Sequence, residues 1–568
     1  MRYHALVADY DGTLACNDRI SDETARGLER LRASGRRNIL ITGRRLDDLL
    51  AVCSCVRLFD LVVAENGGIV YDPATGEETR LAPPPSKWLL RGLQARGVTP
   101  MEIGQVVVGT DAAHRSMVQD LIWELGLEAQ VIANRGAVMV LPASINKATG
   151  LRHALRKLGL TRHEVVGIGD AENDHSFLQL CECAVCVANA VPSLKESVAH
   201  VTRAANGEGV IELVEQLTRE DLRSFENSLQ QHFIALGVMS DDLPVQLAPY
   251  GHSLLVAGPS SCGKSTFTAG IIERLIEKEY QVCIIDPEGD YGTLREVVAL
   301  GNHLRAPSVS EALSILDDPK INLSINLLGI PLEDRPQFIA QLLPNIQAMR
   351  SRVGRPHWII LDEAHHMLPH TWSLAGSALP QSIGEIIVVT VHPEHIARAV
   401  LAPIGIVIAI GNSPQETLRG FSQAAGKTLS WPDDLTYQAD RVVAWFVDDC
   451  PPFSMRPAPG RAERIRHHRK YAEGDLRWHS FYFRGPGSKH NLKAQNLSIF
   501  CQIAEGIDEA TWMFHLRRRD YSRWFRDAVR DDLLANEAER IEQRTDIPPH
   551  QTRQILVELV RSRYTLPE

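Results

Sequence analysis

Two carboxylates, Asp9 and Asp11, stand in Asp9-Tyr10-Asp11-Gly12-Thr13 at the end of a short apolar run. At that spacing one can attack phosphorus while the other handles the proton of the leaving group. Gly12 lets the backbone turn close to a phosphate. Alone, the segment also reads as an ordinary Asp-Gly turn. Three further segments favour phosphoryl chemistry. Thr42, in Ile41-Thr42-Gly43-Arg44, ends a second apolar run with a hydroxyl placed to bond a phosphate oxygen. Lys147, in Ile145-Asn146-Lys147-Ala148, opens a helix and can neutralise phosphoryl charge. Gly169-Asp170-Ala171-Glu172-Asn173-Asp174 ends another strand with acids suited to a hard cation. Mg2+ prefers such oxygen ligands and keeps several of its waters.

A second constellation begins at Gly258-Pro259-Ser260-Ser261-Cys262-Gly263-Lys264-Ser265-Thr266, after the apolar run Leu254-Leu255-Val256-Ala257. This is the G-x-x-x-x-G-K-[ST] pattern between a strand and a helix, the context the motif needs. Backbone N–H groups spanning Gly258, Ser261, Gly263 and Thr266 would cradle the phosphates of ATP. Lys264 would reach the β- and γ-phosphates, and Ser265 would ligate Mg2+. His357-Trp358-Ile359-Ile360-Leu361-Asp362-Glu363-Ala364-His365-His366 ends an apolar strand in two acids. Asp362 would support Mg2+, and Glu363 would polarise the attacking water.

The elements that must position these groups follow an α/β pattern. Short β-branched runs alternate with amphipathic stretches up to about residue 220 and again over about 245–450. That is the pattern of parallel sheets covered by helices, whose sites lie at the C-terminal strand ends. The divisions expected are 1–220 with an insertion at about 80–145, a helical linker at 221–244, and a P-loop domain at 245–450. A basic linker at 451–490 and a helical domain at 491–568 would follow. The chain has 568 residues, 44% hydrophobic and 23% charged, as in ordinary globular protein. A net charge of -10 argues against a generic nucleic-acid binder, although Arg461 to Lys470 is a local cationic run. No apolar run reaches membrane-spanning length. The opening Met1-Arg2-Tyr3-His4 leads straight into a strand, so no secretory leader is expected. Ten scattered cysteines read as reduced thiols, and the expected location is cytoplasmic.

The first constellation, in its order Asp-x-Asp-Gly-Thr, Thr-Gly-Arg, Lys and Gly-Asp-x-x-Asn-Asp, resembles the haloacid dehalogenase (HAD) superfamily over about residues 1–215. The resemblance implies that Asp9 is the nucleophile forming an aspartyl-phosphate and Asp11 the general acid/base. Thr42 and Lys147 would hold the phosphoryl group. Asp9, the Asp11 carbonyl, Asp170 and Asp174 would bind Mg2+, with Asn173 in support. The insertion before Lys147, with Ala64-Glu65-Asn66-Gly67-Gly68 ahead of it, is similar to the type II cap of Cof-like and sugar-phosphate phosphatases. The P-loop region resembles the HerA branch of additional-strand ATPases. That branch places a glutamine where this chain has His392, and no arginine finger can be assigned among Arg350, Arg352 and Arg355. The implied fold is α/β: a Rossmann-like HAD core with a small α+β cap, a RecA-like P-loop domain and a small helical domain. Its implied work is hydrolysis of a small phosphorylated metabolite, a sugar phosphate or phosphoglycolate-like compound, alongside ATP binding or hydrolysis. Two alternatives stay open: an ATP-driven nucleic-acid translocase with an accessory phosphatase, and an ATP-sensing scaffold. A homo-oligomeric ring is open under the HerA resemblance.

Overall fold

The computed structural model describes residues 1–134, 136–229, 232–239, 241–260, 262–292, 294–370, 384–433, 435, 440–460, 476, 480–529, 531–544 and 546–564. Ser261 and the run Arg461 to Lys470 lie outside the described residues. The chain forms two compact units. The first comprises Met1–Lys264, Arg274–Pro287 and Leu300–Ala458; the second comprises Ser265–Glu273, Glu288–Ala299 and Pro459–Glu568.

In the first unit an N-terminal sheet runs in the order His200–Val201, Cys183–Cys186, Val165–Gly169, Ala5–Asp9, Arg37–Ile41, Leu61–Ala64, Ile69–Tyr71, Glu78–Arg80. The first six strands are parallel and the last two antiparallel. Ala5–Asp9 and Val165–Gly169 are buried along their whole length, which is why they read as continuous apolar runs. Between Glu78–Arg80 and the helix Lys147–Leu158 lies the cap. It is a four-stranded antiparallel sheet with its own core of Leu89, Leu93, Val108, Val118, Leu121 and Val140. Its helices are Lys87–Ala95 and Arg115–Glu124.

The second sheet of this unit contains, in order, Pro244–Leu247, Ile234–Val238, Phe453–Pro457, Val442–Phe446, Ile406–Ala409, Leu254–Ala257, Ile386–Thr390, Trp358–Leu361, Val282–Asp286 and Asn322–Asn326. From Ile406–Ala409 onward these strands are parallel. One strand, Ile386–Thr390, separates the P-loop strand from the strand that ends in Asp362. The stretch 221–244, expected as a helical linker, is helical only in part. After the 3-10 helix Arg223–Ser228, Ile234–Val238 joins the sheet as a strand, with Ile234, Leu236 and Gly237 buried and a register shift between Ala235 and Gly237. Phe453–Pro457, inside the stretch 451–490 expected as a basic linker, is also a strand.

The second unit packs the hairpin Phe481–Phe483 and Leu492–Ala494 with five helices. Most of its described aromatics are core: Trp512 stacks on Tyr521 at 4.5 Å between ring centroids and donates its indole N–H to Thr552 Oγ1 at 3.1 Å.

Within the first unit the two sheets meet at the N-terminal ends of two strands, Val165–Gly169 and Trp358–Leu361. Glu164, just before Val165–Gly169, bonds His357, just before Trp358–Leu361, at 2.5 Å. The Gln281 N–H donates to His357 Nδ1 at 2.7 Å, so the imidazole proton sits on Nε2 and points at Glu164. Burial holds His357 below its ordinary value, outweighing Glu164. The buried Glu182 accepts from Tyr280 and pairs with His163 and Arg2. Burial works against its carboxylate, but His163, His232 and Arg2 push it down to about 2. Both shifts carry the same sign of linkage. The unfolded chain binds a proton on His357 below its ordinary 6.5 and on Glu182 below 4.5, while the folded chain resists both. Stability should therefore fall as pH drops from 6.5, and more steeply below 4.5. Urea midpoints measured from pH 7.5 to 4 check this, with a shallower upper limb expected in His357→Gln.

Candidate active site

Asp9 closes its strand 5% exposed and sits against Lys147, the first residue of its helix. That helix start is fixed by Asn146, whose side chain accepts the Thr149 N–H while Thr149 bonds back. Lys147 Nζ donates to Asp9 Oδ1 and to Asp174 Oδ1, both at 2.5 Å. Asp174 is anchored in turn: its Oδ2 accepts the N–H groups of Asp170 and Ala171 at 2.8 and 2.9 Å. Thr13 Oγ1 donates to Asp170 Oδ1 at 3.2 Å. The ligand atoms of Asp9, Asp170 and Asp174 all lie within 4.8 Å of one another, and all three residues are buried. Three converging carboxylates with one ammonium fit a hard divalent cation such as Mg2+ and no soft metal.

Burial, then the facing Asp174, push Asp9 up to about 7, against the pull of Lys147. Burial also works against the Lys147 ammonium, but Asp174 and Asp9 outweigh it and raise it. The ammonium is thus firmly charged, and a second cation at the carboxylates would favour the ionised Asp9 that nucleophilic attack needs.

Thr42 is fully buried at the end of Arg37–Ile41, with its N–H on Val63 O at 2.8 Å and its hydroxyl accepting the Arg44 N–H at 3.1 Å. Asp11 is 37% exposed and is gripped by Arg44, whose Nε and Nη2 approach its carboxylate at 2.6–3.1 Å. Arg44 also pairs with Asp18. Asp11, Gly43, Arg44 and Arg45 of the core line a cleft of about 540 Å3 together with Glu102, Val107 and Met139 of the cap. A larger cleft of about 670 Å3 lies by Arg37, Asp60 and Lys157 and is not lined by Asp9, Asp11, Asp170 or Asp174. Gly67, at φ +101°, must be glycine: a Cβ would stand 1.9 Å from the carbonyl oxygen of Asn146, the residue before Lys147.

Sequence reasoning gave no role to Arg44, Met139 or Asn189. The structure puts Arg44 on Asp11, Met139 within 3.4 Å of the Asn66 amide, and the Asn189 amide on Gly12 O at 2.8 Å. Arg44 stood inside the Thr-Gly-Arg segment, so its presence was readable and its partner was not. Asn173, expected as support, donates to Asn66 Oδ1 at 3.3 Å.

At the P-loop, Lys264 begins the helix Lys264–Glu277 and folds over the loop, donating to Gly258 O and Pro259 O, both at 2.9 Å. Gly258 also admits no side chain, since a Cβ would stand 1.9 Å from Ile410 O. Ser265 and Thr266 continue that helix. Asp362 is buried beyond Trp358–Leu361, and Glu363 follows at φ +44°. His365 bonds Thr390 Oγ1 at 3.2 Å and approaches Glu363 at 3.5 Å. Burial, then His366 and His392, push His365 down to about 4. The arginines near this strand serve the opposite end. Arg350 binds the carbonyls of Pro356 and His357, and Arg355 that of Gly159.

Among the described residues, no helix is long and apolar enough to cross a membrane. The haloacid dehalogenase-like hydrolase family matches residues 6–82 and 102–214, and the central domain of helicase HerA matches residues 234–355. A phosphoglycolate phosphatase of Methanothermobacter thermautotrophicus is 31% identical over 216 residues, 37% of this chain and 96% of that protein. One from Haloarcula marismortui is 31% identical over 218 residues, 37% of this chain and 95% of that protein. The crystal structure of a haloacid dehalogenase-like hydrolase from Bacteroides thetaiotaomicron is 22% identical, covering 38% of this chain and all of that one at a TM-score of 0.35. The chain belongs to the haloacid dehalogenase-like hydrolases through its N-terminal region, and its residues 234–355 are similar to the central domain of helicase HerA.

Proposed function

We propose that the N-terminal site is a Mg2+-dependent phosphomonoesterase for a small phosphorylated metabolite, phosphoglycolate-like or a sugar phosphate. The observation that carries this reading is Lys147 bridging Asp9 and Asp174 beside Asp170. Thr42 and Lys147 hold the phosphoryl oxygens. The Asp9 carboxylate attacks phosphorus, the ester bond breaks, and Asp11 protonates the departing alkoxide, leaving an aspartyl-phosphate. Asp11 then takes a proton from water, which attacks phosphorus, frees phosphate and restores Asp9. Asp9, the Asp11 carbonyl, Asp170 and Asp174 would hold Mg2+, which would supply charge neutralisation at the phosphoryl group. The cap shields this chemistry from bulk water and limits the leaving group to a small one.

The P-loop domain binds ATP through Gly258, Ser261, Gly263, Lys264, Ser265 and Thr266, with Asp362 and Glu363 for metal and water. The HerA match also supports a second reading, a nucleic-acid-stimulated ATPase, in which a homo-oligomeric ring would be expected. All ten cysteines are free, in keeping with a reducing cytoplasm.

The test is phosphate release from a panel of phosphorylated metabolites, with and without Mg2+ and ATP. Release should need Mg2+ and should favour the smallest substrates in kcat/KM. No release from any substrate in the presence of Mg2+ would overturn the reading.

A further inference from the structure

Two cysteines that the phosphatase chemistry does not use stand beside it. Cys53 caps the C-terminus of the helix Leu46–Val52, and Cys55 follows two residues later. Their sulfurs are 3.9 Å apart. Cys53 is 3% exposed in the same buried cluster as Tyr10, the residue between Asp9 and Asp11. Cys55 packs on the rim of that cluster and is partly open to solvent. Tyr10 links outward. Its hydroxyl donates to Asp18 O at 3.0 Å, and the Arg44 guanidinium lies over its ring at 5.4 Å. Arg44 in turn grips Asp11. Cys53 therefore packs with, and hydrogen-bonds to, the residue wedged between the nucleophile and the proton carrier.

We propose that Cys53 and Cys55 form a redox modification site that reacts with low-molecular-weight disulfides and, once oxidised, slows the phosphatase. Its effect on turnover rests on the phosphatase reading above; the thiol chemistry does not. The Cys55 thiolate attacks one sulfur of a small disulfide RSSR, forming a mixed disulfide and expelling RS−. The Cys53 thiol, losing its proton to water, then attacks the Cys55 sulfur and expels the second RS−. Both expelled thiolates take up protons, so two cysteine thiols are oxidised to one disulfide and RSSR is reduced to two RSH. The hydrogen bond from Cys53 lowers the Cys55 thiol, burial opposing it, and raises Cys53, which assigns attack to the more open sulfur. Closing the gap to the bonded S–S distance of about 2.0 Å must draw Cys53 away from Tyr10 or shift the end of Leu46–Val52. That helix follows directly on Thr42, Arg44 and Arg45, so the displacement reaches the substrate cleft from two sides.

The experiment uses the full chain carrying Cys16→Ser and Cys450→Ser, which removes the two exposed thiols. It is incubated with oxidised glutathione and read by peptide mass and by phosphatase rate. Tryptic peptide 46–57 holds both cysteines and should lose two hydrogens. The kcat on an aryl phosphate should fall at least about tenfold, as expected for a small displacement of catalytic groups, and recover with dithiothreitol. Cys55→Ser in the same background should keep its basal rate and lose the response. A peptide that stays a dithiol or stops at a glutathione adduct overturns the site. A disulfide with kcat unchanged, or equal inactivation of Cys55→Ser, overturns its effect on the enzyme. No phosphatase activity before oxidation would count against the phosphatase reading and leave the mass result to judge the thiols.

Discussion

Replacing Asp9 by Asn should lower kcat for phosphate release by at least about 10^3-fold, because loss of a covalent nucleophile typically costs that much or more. The substitution is close to isosteric, so it separates chemistry from folding. In the native site Lys147 stands between Asp9 and Asp174, both at 2.5 Å. The amide keeps an oxygen for Lys147 but cannot form the aspartyl-phosphate. It also removes a buried charge whose ionisation is opposed by burial and by Asp174. Thermal stability should therefore hold or rise while turnover disappears. Asp11→Asn should behave differently: attack on an activated aryl phosphate needs little proton donation, so the intermediate should form and its hydrolysis should stall. Rapid-quench detection of protein-bound phosphate tells the two apart. Undiminished turnover in Asp9→Asn would falsify the assignment of the nucleophile.

How much of this arrangement the residues disclose in advance depends on whether the information is local. Asp9, Lys147, Asp170 and Asp174 sit at strand ends or a helix start, where a parallel sheet gathers its loops, so their convergence follows from pattern and topology. Leu254–Ala257 was equally legible, since a strand, a glycine loop and a helix follow one another without a gap. The grip of Arg44 on Asp11 was not, because 33 residues separate the partners and no periodicity links them. Ile234–Val238 was misread for a different reason. It follows soon after the amphipathic helix Asn206–Glu220, and its five residues, with Leu236 and Gly237 both buried, carry no clean alternation to mark the change of period. The meeting of Glu164 with His357 was least legible of all: each residue only precedes a strand, and their partnership exists only once both sheets have formed.

That meeting gives the second site its setting. Glu164 precedes Val165–Gly169 and Asp170 follows it, and His357 precedes Trp358–Leu361 and Asp362 follows it. The two strands are joined at their N-terminal ends and carry their acids at the other. A carboxylate accepting a proton from a neutral imidazole, both fully buried, forms a fixed joint and leaves no exposed ion pair for salt to screen. The P-loop domain can therefore be probed without dismantling the phosphatase, provided the substitution stays at the C-terminal strand ends.

Two such substitutions separate binding from hydrolysis. Lys264→Ala should weaken ATP binding by at least about tenfold, since it deletes a cation that the loop holds on the Gly258 and Pro259 carbonyls, where the phosphates would sit. Glu363→Gln should leave binding near the native value and lower ATP turnover by about 10^2-fold or more, because water is no longer polarised. In both variants Asp9, Lys147 and Asp174 are untouched, so basal phosphate release should stay within about twofold. Equilibrium titration with a fluorescent ATP analogue reads the first effect and steady-state ATPase the second. Equal affinity in Lys264→Ala and the native chain would remove the P-loop assignment. Adding duplex DNA at low salt divides the two readings of the domain. Stimulated turnover that Glu363→Gln abolishes would favour a translocase, whose affinity should fall steeply with salt as phosphate contacts release counterions. A flat response, with ATP altering phosphate release instead, would favour a nucleotide-controlled phosphatase. The chain's net charge of -10 makes the flat response the expected one.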